Sequence, residues 1–97
     1  MNKIKLNNTE FIVEGYNKNT YFNGETVTSS GTCNIITDNM SSVESLADNT
    51  ITSIQIIHDD ELIYNLTNIN ARIESINEYL NTDHMSININ LIFDILI

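Results

Sequence analysis

The sequence predicts a mainly β protein, a small antiparallel sandwich or roll with one short helix near residues 41–47. Three observations carry this expectation. Residues Met85 to Ile97 alternate, with Met85, Ile87, Ile89, Leu91, Phe93, Ile95 and Ile97 on one side of an extended chain. Side chains of a strand point to opposite faces in turn, so such a run is a strand with one face in a core. Isoleucine, stiff at its first side-chain torsion and well suited to pleated surfaces, occurs 17 times, and proline is absent. Turn-prone pairs, above all Asn23-Gly24, punctuate the chain at short intervals. The 97 residues suffice for one core and not two, so 1–97 reads as a single domain.

Lys3 to Leu6 reads as a short strand ended by Asn7-Asn8. Glu10 to Tyr16 alternates around Phe11 and Val13, and Asn17-Lys18-Asn19 is expected to break it. Thr20-Tyr21-Phe22 leads into Asn23-Gly24, the expected centre of a type I′ turn, which needs positive φ at both central positions. Glu25 to Ser29 continues as strand, Gly31 marks a bulge or turn, and Thr32 to Thr37 resumes. Ser41-Ser42-Val43-Glu44 fits a capping box, and Val43, Leu46 and Ala47 form the apolar stripe of a two-turn helix. Ile51 to His58 and Leu62 to Leu66 make a hairpin around the charged tip Asp59-Asp60-Glu61.

Thr67 to Thr82 is the ambiguous segment. Ile69, Ile73, Ile76 and Leu80 have helical spacing, which gives an α+β alternative with a second helix near 68–80. The tip Asn81-Thr82-Asp83-His84 ahead of the long final strand favours a hairpin, and the strand reading is preferred.

Charge narrows the function classes. There are 16 asparagines, a bias that A/T-rich coding shares with isoleucine and lysine, yet only Lys3, Lys5, Lys18 and Arg72 are basic. Thirteen carboxylates bring the net charge to −9, against the direction of that bias. Such a chain is poorly suited to bind nucleic acid directly, because that affinity comes from basic residues neutralising phosphates. Docking on anionic membranes is disfavoured for the same reason. Basic protein partners, or plain solubility, are left. The N-terminal residues have no apolar run behind Lys3 and Lys5, and Asn-X-Ser/Thr triplets are expected by chance at this asparagine content. The expected location is intracellular.

No catalytic constellation is legible, and the chain is expected not to be an enzyme. Cys33 is the only cysteine and sits in an apolar run, far in sequence from His58 and His84, which reads as an inert buried thiol. Gly15, Gly24 and Gly31 are isolated, so no phosphate-cradling loop exists. Asp59, Asp60 and Glu61 lack the spacing of a calcium loop, and Asp83-His84 reads as a polar turn, so no metal or cofactor is expected. Arg72, the sole arginine, lies near Glu74, Glu78 and Tyr79, where an ion pair is favoured over a phosphate anchor.

The runs Thr50 to Ile57, Glu61 to Leu66 and Ala71 to Leu80, above all Ser75-Ile76-Asn77-Glu78-Tyr79-Leu80, resemble short uncharacterised proteins of bacteriophages and prophages of low-GC Gram-positive bacteria. The resemblance covers about half of the chain and brings no catalytic residues. It implies a phage origin. The expected function is then non-enzymatic counter-defence in the host cytoplasm, by binding a host immune protein or sequestering its nucleotide signal. The alternative is a small structural or assembly protein of the virion head, tail or baseplate. Asp59, Asp60, Glu61, Arg72, Glu74, Glu78, Tyr79, Asp83 and His84 are the candidate contact residues. The apolar last strand, if it lay at a sheet edge, would favour a homo-oligomer.

Overall fold

Each strand hydrogen-bonds to two antiparallel neighbours, and the resulting sheet closes on itself. The computed structural model describes residues 1–80 and 85–93. Its elements are β1 (Asn2–Leu6), β2 (Thr9–Asn23), β3 (Thr26–Ile36), α1 (Met40–Ala47), β4 (Ile51–His58), β5 (Glu61–Leu80) and β6 (Met85–Phe93). All neighbours are antiparallel, in the barrel order β1-β2-β3-β6-β5-β4. The protein is thus mainly β with one short helix, and β1 closes the sheet by pairing with β2 on one side and β4 on the other.

The strand reading of residues 67–80 holds, and the helical spacing has a physical cause. β5 pairs with β4 along Glu61–Ala71 and with β6 along Ala71–Leu80. Its register shifts opposite Ile56/Ile57, opposite Ile51/Ser53 and at Ile73/Ser75. Asn68 has φ 57° beside the second shift. Extra residues, two opposite Ile51/Ser53 and one at Ile73/Ser75, interrupt the alternation. The side chains packed in or against the core therefore run Tyr64, Leu66, Ile69, Ala71, Ile73, Ile76, with a step of three at the second and third shifts. Two such steps mimic a helical stripe. β2 does the same between Val13 and Gly15.

Three local expectations are corrected. Asn17-Lys18-Asn19 does not break β2, because all three pair with β3 residues Thr32, Gly31 and Ser30. Gly31 is no bulge: it pairs in register with Lys18 and Leu91. A Cβ there would lie 2.9 Å from the Asn17 carbonyl oxygen and 3.4 Å from the Phe93 ring, so glycine is needed for close approach. The turn after β2 is centred on Gly24-Glu25, with Asn23 paired to Thr26 and positive φ only at Gly24, the φ signature of type II′. Both central φ values are positive instead at Asp59 (48°) and Asp60 (68°), so the acidic tip is the type I′ turn.

α1 starts two residues earlier than the capping box implies. Asn39 is the cap, its Oδ1 accepting from the Ser42 N–H at 3.4 Å, and the Thr37 hydroxyl accepts the Asn39 N–H at 3.0 Å. With those donors served, Ser41 and Glu44 are not needed as a box. The helix buries Val43 and Leu46 in the same core as the barrel's inward residues, while Ala47 is exposed.

That core is mostly branched aliphatic: Ile4, Leu6, Ile35, Ile51, Ile54, Ile87, Ile89 and Leu91 are essentially inaccessible. One asparagine ties its floor together. Asn7, at φ 58°, accepts from the Thr52 N–H (2.8 Å) and hydroxyl (3.2 Å) and donates to the Thr50 carbonyl (3.1 Å). It thereby links the β1–β2 turn to the start of β4.

Two expected outcomes follow from these positions. Asn7→Ala loses the three bonds and places a Cβ-bearing residue without side-chain compensation at positive φ, costing about 2 kcal/mol, while Asn7→Gly costs about half as much. Denaturant titration ranks the two, and equal losses would show that backbone strain is irrelevant there. Gly31→Ala overpacks the β2–β6 contact and costs about 2 kcal/mol, read in the same titration.

Candidate functional site

The sequence-derived candidate residues fall into two separate groups. The first is the β4–β5 tip. His58 pairs with Glu61 across the Asp59-Asp60 turn. The Met1 ammonium donates to Asp59 Oδ1 at 2.9 Å, and His58 Nε2 lies 3.2 Å from Asp59 Oδ2. The other ring nitrogen, Nδ1, meets Asn2 Oδ1. The ammonium's hydrogen bond, aided by His58, holds the Asp59 carboxyl below the usual carboxylate range. Asp59 is therefore used to bind the N-terminus to the tip, and Asp60 and Glu61 project into solvent.

The second group lies in the far half of β5. Glu74 is the extra residue of the Ile73/Ser75 shift, and Glu78 and Tyr79 pair with Ile87 and Ser86. All three are exposed. Arg72, exposed opposite Ile92, is already engaged. Glu61 and Glu78 are 17 positions apart on one strand (78 − 61), about 55 Å of contour. Glu61 belongs to the part of β5 paired with β4, and Glu78 to the part paired with β6. Asp83 and His84 lie outside the described residues.

Inside the barrel the polar groups are few. Cys33 is fully buried, and burial pushes its thiol up from 9.0 to about 12. Tyr16, opposite Cys33 in the ladder, has its ring 5.4 Å from that of Tyr64, and the two hydroxyls are 3.5 Å apart. Burial, then the Tyr64 hydroxyl, drive Tyr16's ionisation far up. His58, exposed at the tip, is not among the groups acting on Cys33. Among the described residues no group of three His, Cys, Asp or Glu side chains is placed to hold a metal. None of their helices is long and apolar enough to cross a membrane.

Sequence reasoning missed a charge-free face. β3 and β6 are neighbours and contain no Asp, Glu, Lys or Arg. On the outward side, Asn88 donates to Asn34 (2.7 Å) and Asn90 to Ser75 (2.9 Å), a polar ladder across three strands. Ser86 donates to Glu14 Oε1 at 2.9 Å at its border. The available signal was the absence of charge from Thr26 to Thr37 and from Met85 to Phe93 in so acidic a chain.

Comparison with protein-family models, with curated proteins and with solved structures finds no match.

The buried thiol and phenol set an alkaline limit with a definite sign. Both groups have folded pKa values raised above their unfolded ones, so their contribution is whole below pH ~8.5. It is lost as pH rises from the thiol's ordinary 9.0 towards about 12, because the unfolded chain ionises first. Unfolding free energy should be flat from neutrality to that point and then fall. Cys33→Val should delay the onset to the tyrosine range, and an identical decline in the variant would refute this account.

Proposed function

We propose that the chain is a non-enzymatic binding protein of phage origin that acts in counter-defence in the host cytoplasm, engaging a basic surface of a host immune protein. The observation that carries this reading is the β4–β5 tip. A rigid type I′ turn, braced by the N-terminus and His58, presents Asp60 and Glu61 to solvent on a chain of net charge −9. Fixed like charges at a protruding turn steer a basic partner and accelerate encounter. The phage setting rests on the resemblance of residues 50–80, and the target class on charge. A protein target suits this surface better than a nucleotide signal: with four basic residues in all, phosphate donors are scarce.

Virion assembly is the second reading, and one observation favours it: β2 leaves a strand edge open beyond Ile12, the feature by which small β-modules add to one another. Capture from infected-cell lysate should return a host protein, with the double variant Asp60→Lys/Glu61→Lys reducing the association rate about tenfold at low salt. A rate unchanged by the variant defeats the acidic-tip reading. Recovery of the chain in purified particles would transfer the function to the virion.

A further inference from the structure

We propose that the open edge of β2, Gly15–Asn23, pairs antiparallel with the same edge of a second copy, joining two barrels about a two-fold axis. β1 covers β2 only as far as Ile12, where it pairs with Lys3. From Val13 to Asn23 every ladder partner of β2 among the described residues lies on the β3 side. The other side presents a row of backbone donors and acceptors, the template that natural sheets usually blunt with charge, proline or a covering element.

Here that protection is missing. The only charge from Gly15 to Asn23 is Lys18, and its Nζ is turned to the inner face, 5.4 Å from the centre of the Phe93 ring. The outer side chains along the edge, Asn17, Asn19 and Tyr21, are exposed and uncharged.

Charge distribution selects a second copy as the occupant. Gly15 to Ile36 contains one lysine (Lys18) and one acid (Glu25), so its net charge is zero, and the rest of the chain carries the whole −9. Two identical acidic bodies repel each other least along this neutral hairpin and the charge-free β6 beside it, and of these only β2 offers an open edge. An overlap centred on Asn19 pairs Gly15 with Asn23 of the second copy and sets Phe22 beside its Tyr16 on the inner face. Phe22, 80% exposed in the single chain, is covered by that arrangement. The expected self-association does not run through β6: it lies between β3 and β5 along Met85–Phe93 and offers no edge there.

The proposal is independent of the host target, and salt separates the two. Screening relieves repulsion between the acidic bodies, so dimerisation should tighten about fivefold on going from low to physiological salt, whereas capture of a basic partner weakens. Sedimentation equilibrium of the full chain, from micromolar to millimolar, reads the mass. The expected result is a dimer that Asn17→Lys/Asn19→Lys abolishes with an unchanged circular dichroism melt, and that Glu61→Lys leaves intact. As a second measurement, Asn19→Cys should form an intermolecular disulfide under mild oxidation, since residues at the axis face each other within bonding range. A monomer at all concentrations overturns the proposal and leaves the edge to an extended segment of another protein. A dimer that survives the double lysine variant, or gives no Asn19→Cys cross-link, overturns it as well.

Discussion

Ala71 is the residue on which the closed sheet turns. It pairs with Ile51 on β4 and with Phe93 on β6, and is the point where β5 changes partner. A single strand can seal two parts of a barrel only if it bends, and β5 bends through its three register shifts and the positive φ of Asn68. The side chain at the crossing is buried and small, which fits a corner where backbone from both sides converges. Everything else in the arrangement, from the helix under the core to the acidic tip at the other end of β5, is positioned by that change of partner.

The same economy governs the polar residues. Asparagine is abundant, and individual asparagines serve distinct structural uses. Asn7 fixes a turn and reaches three groups near β4, Asn39 caps the helix, and Asn49 donates to the Ser45 carbonyl at 2.8 Å behind it. Asn34, Asn88 and Asn90 face outward and satisfy one another or Ser75. A residue that tolerates left-handed φ and offers both donor and acceptor suits all these places.

How much of this was legible in the sequence follows from the physics of each part. β1, the helix and β6 to Phe93 keep an unbroken period, and their patterns identified them, whereas β4 buries Ile51 and Ile54 three positions apart. β2 and β5 contain bulges, and every bulge interrupts the pattern, so Thr67 to Leu80 looked as helical as it looked extended. Gly31 reads as punctuation in the sequence because close approach of Asn17 and Phe93 is a tertiary fact that no local signal encodes. The acidic tip was visible as composition. That Asp59 is occupied by the N-terminal amine, and that Glu74 and Glu78 fall where β5 pairs with β6 while Glu61 pairs with β4, depends on chain path and was not. The neutral face of β3 and β6 was present as a silence in the charge pattern, and it becomes a surface only once the two strands are side by side.

The position of β6 bears on how the chain folds. Both of its neighbours are synthesised before it, and Cys33 meets Ile89 across 56 positions of sequence (89 − 33). Until Met85 to Phe93 leaves the ribosome, a nascent barrel has one wall missing and two flanks exposed to other chains. Contacts so distant in sequence impose a large loop-closure entropy before any reward is gained, which slows the search to the millisecond-to-second range of all-β topologies. Production rate and chaperone supply then decide how much of this protein reaches its sealed form.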